Sequence, residues 1–75
     1  MSLYDVKLNT ACKIQALNIE DEKIKIRLME LGLIEDCVVM VKKKSLLKQT
    51  LLIVFNSSCF TLKDNIAKSI VVKYA

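Results

Sequence analysis

The chain has one glycine and no proline, and that glycine, Gly32, closes the only stretch with helical periodicity. In Glu20 to Ile34, EDEKIKIRLMELGLI, the apolar residues Ile24, Leu28 and Leu31 recur at i, i+4 and i+7 and share one helix face. Lys23, Arg27 and Glu30 take the opposite face. Asp21 and Glu22 place negative charge in the first turn, against exposed backbone N–H groups. Gly32 follows the last periodic residue, where a left-handed backbone lets the helix end, and Leu33 can then fold back on Leu28. Gly32, Leu28 and Leu31 therefore read as structural residues, and the helix as an amphipathic plug for a structure otherwise made of strands.

The strand signals are short and numerous. Cys12 to Leu17 alternates, with Cys12, Ile14 and Ala16 on one face; Asn9 supplies a turn before it. After the helix, Glu35 and Asp36 make a polar turn. Cys37 to Lys44 and Thr50 to Asn56 are the strongest strands, joined as a long hairpin by Ser45 to Gln49. Asn56 to Ser58 forms a tight turn into a short strand, Cys59 to Leu62. One helical turn within Leu62 to Ser69 precedes a final strand, Ile70 to Tyr74, with Ile70, Val72 and Tyr74 inward. Such an order predicts a mainly β fold with one α-helix, a small closed or half-closed barrel. Closure also protects apolar strands from edge-to-edge pairing.

With 75 residues the expectation is one domain, 1–75, with a small core. Apolar residues are 53% of the chain but aromatics only 5%, so that core is built from Ile, Leu and Val. No apolar run approaches the roughly 20 residues of a membrane span, and the first residues lack a signal peptide's apolar core. A cytoplasmic protein is expected.

Little in the composition supports chemistry. There is no histidine, which removes the commonest general base and metal ligand. Cys12, Cys37 and Cys59 are widely spaced, without the close-set pairs of a zinc site, and each reads as a buried apolar residue. Glu20, Asp21 and Glu22 are adjacent and do not converge on one ion. No catalytic residue, metal site, cofactor or small-molecule substrate is expected, and the chain does not read as an enzyme.

The segment Arg27-Leu28-Met29-Glu30-Leu31-Gly32-Leu33 resembles the ELGL signature of the ferrous iron transport protein A family, small accessory proteins of bacterial ferrous iron uptake. Leu62-Lys63, Ala67 and Ile70-Val71-Val72 resemble that family's closing pattern, a helical turn before the last strand. The paired strands between the two, and their spacing, fit as well, so the resemblance covers nearly the whole chain. The sequence departs from the pattern where Ile34-Glu35-Asp36 replaces a Pro/Gly turn, where Ser45 to Gln49 replaces a PLGDP-like loop, and near Asn56-Ser57. The resemblance implies an SH3-like small β-barrel with the helix packed alongside. It also implies a non-catalytic partner of the membrane GTPase that transports ferrous iron, recruited to the inner face of the membrane. The same barrel occurs as the C-terminal domain of metal-dependent repressors, so the alternatives are a nucleic-acid-binding small β-barrel or a stand-alone equivalent of such a domain.

A net charge of +4 permits an acidic partner, and much of the excess is local to the hairpin. Lys44, Leu46, Leu47 and Lys48 place a basic collar beside two apolar residues at the hairpin tip, a pattern suited to docking on another protein. The competing reading folds one leucine back over an open barrel end. Lys23 and Arg27 on the outer helix face are further contact candidates, against a reading as a solvated face. Small barrels also bind nucleic acid, but no aromatic residue is interleaved with the lysines to stack on bases. Strand edges or the leucine-bearing loop would also allow self-association.

Overall fold

The computed structural model describes residues 1–75. A 3-10 turn, Leu3–Asp5, leads to strand β1, Cys12–Leu17, and helix α1, Glu22–Glu30. Strands β2 (Val38–Ser45), β3 (Thr50–Phe55) and β4 (Ser58–Lys63) follow, then the single-turn helix α2 (Asp64–Ala67) and strand β5 (Ile70–Tyr74). The sheet order is β4-β3-β2-β1-β5, with every neighbouring pair antiparallel. The outer strands β4 and β5 do not pair with each other, so the barrel is half closed. Extents of 27 × 26 × 23 Å show how far the five strands curl about their own core.

That core contains sixteen buried residues, all apolar. It is drawn from alternate positions of the strands: Cys12 and Ile14, Val39 and Val41, Leu51, Ile53 and Phe55, Ile70 and Val72. The expected inward position of Tyr74 is corrected. It lies past the end of the core and is exposed, with its hydroxyl accepting a hydrogen bond from the Lys7 N–H at 3.0 Å.

Turns fall where the residue types permit positive φ. Asn9, Asp36 and Gln49 adopt it singly, and Asn56 and Ser57 adopt it in succession at the β3–β4 turn. The β2–β3 pairing slips by one residue between Val41 and Lys43. This bulge has a clear cause. Strict alternation from Val39 and Val41 would direct Lys43 into the core. One extra residue resets the phase, leaves Lys42 and Lys43 both outside, and sets Lys44 opposite buried Leu51.

Helix α1 is shorter than its sequence pattern and is capped at both ends. Asp21 is the N-cap, its carboxylate accepting from the N–H groups of Lys23 (3.0 Å) and Ile24 (3.4 Å). At the other end, Gly32 N–H donates to Met29 O and Leu33 N–H to Leu28 O, both at 3.0 Å, with Gly32 at φ +103°. This is a Schellman motif, as the glycine predicts. The expected buried stripe is corrected. Leu28 is buried, but Ile24 is 36% and Leu31 45% exposed. Leu31 is the C-cap, and the motif turns the chain so that Leu33, fully buried, fills the core position instead.

Candidate functional site

The hairpin tip is a four-residue turn between paired Ser45 and Thr50, braced by the Lys48 N–H donating to Ser45 Oγ at 3.3 Å. Leu46 is 83% and Leu47 100% exposed, so neither leucine folds back over the barrel end. Lys48 is exposed beside them. Lys44 behaves differently. The bulge places its stem on the core side of the sheet, and its ammonium reaches the carbonyl of Tyr4 while standing 4.6 Å from the centre of the Tyr4 ring. Lys44 is therefore half-buried and tied to the N-terminal turn.

Two grooves open on this side of the molecule. One, of about 710 Å³, runs between the hairpin tip and α2 and is walled by Tyr4, Leu46, Lys48, Lys63 and Lys68. Its floor is fixed by the Asp64 N–H donating to Gln49 O at 2.9 Å, which joins α2 to the hairpin. The second, of about 630 Å³, lies between α1 and β4, with Lys23 and Arg27 beside Ile24, Leu28, Leu62 and Ile66. Lys63 and Asn65 line both. The fold thus brings the two separate sequence candidates, hairpin tip and helix face, onto adjoining grooves. Tyr4, Lys63 and Lys68 did not stand out in the sequence. Two lysines flanking α2 were the available signal, but their convergence on Tyr4 is a tertiary property.

The three cysteines occupy different environments. Cys12 is buried and its thiol contacts Val39 O at 3.4 Å; Cys37 is half-buried. Burial raises both thiols above the ordinary range. Cys59 corrects the expectation of three buried cysteines. It is exposed, because it lies opposite Val54 on the outer face of β4.

No helix is long and apolar enough to cross a membrane. A search of curated proteins finds no significant match. Among solved structures, the FeoA protein from Chlorobium tepidum superposes with a TM-score of 0.89 at 24% identity, covering 99% of this chain and 70% of that one. FeoA of Stenotrophomonas maltophilia, solved with zinc and described as an SH3-domain protein, gives 0.82 at 26% identity, covering 97% and 89%. IdeR of T. acidophilum gives 0.83 at 17% identity, with all of this chain matching 34% of that one. The fold is thus the SH3-like one, mainly β with a helix alongside. The sequence itself matches the FeoA domain over residues 1–74, and the chain belongs to the FeoA family.

Proposed function

We propose that this chain is a non-catalytic accessory protein of bacterial ferrous iron uptake. It acts as one domain, in the cytoplasm, by docking on the cytosolic part of the membrane GTPase that transports ferrous iron. Family membership supports the first half of this reading; S. maltophilia FeoA has itself been considered a ferrous iron transport activating factor. The observation that carries docking is the hairpin tip, where two adjacent leucines stand in solvent at the end of the paired β2 and β3 strands. An apolar tip beside lysines suits a partner with an apolar pocket and an acidic rim. Docking would alter GTP turnover only if its contacts differ between the transporter's states.

A pull-down with the cytosolic GTPase domain tests the reading. Capture by the native chain is expected, with loss on Leu46→Asp together with Leu47→Asp. Equal capture by that variant, or none by either, would contradict it. The IdeR likeness supports a second reading, in which the chain is the stand-alone counterpart of a metalloregulator's SH3-like module and associates with a DNA-binding protein. Capture by the GTPase domain favours the first reading, and its absence leaves the second standing.

A further inference from the structure

We infer that the groove between the hairpin tip and α2 is a binding site for a short acidic segment of a partner protein, one in which carboxylate side chains stand next to an apolar residue. This deepens the docking reading above and rests on it. The inference starts from Tyr4. Its ring is approached by two ammonium groups, Lys44 at 4.6 Å and Lys68 at 4.7 Å from the ring centre. The ring's π-electrons attract both cations, but they supply no formal charge. Lys44 donates to a neutral carbonyl, and no lysine ammonium of the chain hydrogen-bonds a carboxylate. Lys48 and Lys63 line the same groove, and Asp64 is the single acidic residue there. Three lysines therefore line the groove against one carboxylate, with Lys44 beside them on the Tyr4 ring, so an excess of positive charge gathers at this end.

An acidic ligand would restore neutrality, and its class follows from the remaining walls. Lysines are point charges on flexible stems and can meet carboxylates at several positions along a peptide. Leu46 borders the groove and Leu47 adjoins it, both in solvent, and offer contact to an apolar side chain between the carboxylates. Nucleic acid would use the lysines but not the leucines, and the one aromatic ring present is engaged by ammonium groups instead of open for base stacking. The groove is held ready: its hairpin wall and its α2 wall are joined through Gln49 O and the Asp64 N–H. A pre-formed site spends less of its binding energy on ordering.

The test is an NMR titration of the ¹⁵N-labelled full chain with a short peptide alternating glutamate and leucine. A glutamine–leucine peptide, a single-stranded oligonucleotide and inorganic phosphate serve as parallel probes. The expected result is saturable shifts at Tyr4, Leu46 to Gln49 and Lys63 to Lys68 with the glutamate peptide, fading as salt is raised. Lys48→Glu with Lys68→Glu should weaken binding at least about tenfold, whereas Lys73→Glu, the same change of sign outside the groove, should leave it nearly unchanged. Dispersed spectra establish that each variant is folded. Equal response to the glutamine peptide, tighter binding of the oligonucleotide, saturation by phosphate alone, or equal loss with Lys73→Glu would overturn the inference. Failure here is separable from failure of the docking reading. A GTPase domain that binds with shifts along α1 only would refute the groove and keep the accessory role. A peptide that binds while the GTPase domain does not would do the reverse.

Discussion

Gly32 separates backbone geometry from packing. Its φ of +103° lies outside the range of ordinary residues, and an added Cβ would come within 3.3 Å of the Asn56 side-chain nitrogen. Gly32→Ala should therefore destabilise the fold by about 1–2 kcal/mol through strain, read as a lower urea midpoint with the slope unchanged. The cysteines give a second check at this scale. Cys59 should react with an alkylating reagent in the folded protein, while Cys12 should be protected until the chain unfolds. Since burial raises the Cys12 and Cys37 thiols, the unfolded chain loses those protons first as pH climbs. The resulting stability is complete below the ordinary thiol value of 9.0 and declines above it, and Cys12→Ala should flatten that decline. Gly32 was legible in the sequence because a lone glycine after a periodic stretch has few other uses. Cys59 was not, because an apolar neighbourhood in sequence does not say which face of an edge strand a side chain takes.

At the scale of elements, the strand borders follow from alternation and turn residues to within about a residue, as at Cys12–Leu17 and Ile70–Tyr74. Helix α1 shows where periodicity misleads. Its stripe of Ile24, Leu28 and Leu31 predicted a buried face, yet the helix anchors mainly by Leu28 and by Leu33 beyond its cap. Because so little of α1 is buried, its caps should matter more than usual. Asp21→Ala should cost about 1 kcal/mol, seen as a lower melting temperature and faster amide exchange in the first turn. The β2 bulge escaped the sequence reading for a different reason. A run of three lysines after Val41 looks the same whether the register slips or not, and only pairing with Leu51 and Leu52 reveals that Lys44 is set apart.

For the whole molecule, stability comes from the half-closed sheet, and the docking surface is laid over it without contributing much. Ile53 is fully buried at the centre, so Ile53→Ala should cost about 2–5 kcal/mol, enough to unfold much of so small a protein. Leu46→Asp and Leu47→Asp change side chains already in solvent and should move stability by less than about 0.5 kcal/mol. This contrast lets function be probed in folded protein. The fold was legible because strand pattern, turn chemistry and one helix stop agreed with one another. The surface was legible only in part: the hairpin candidates could be named, but their meeting with Tyr4, Lys63 and Lys68 depended on how the ends of the chain pack together.

The most direct measurement is chemical-shift mapping of the labelled chain on addition of the cytosolic GTPase domain. The account predicts perturbations centred on Leu46 and Leu47 and extending along the adjoining groove, abolished by Leu46→Asp with Leu47→Asp in a protein whose melting temperature is unchanged. Shifts confined to the chain termini, or undiminished binding by that variant, would contradict it.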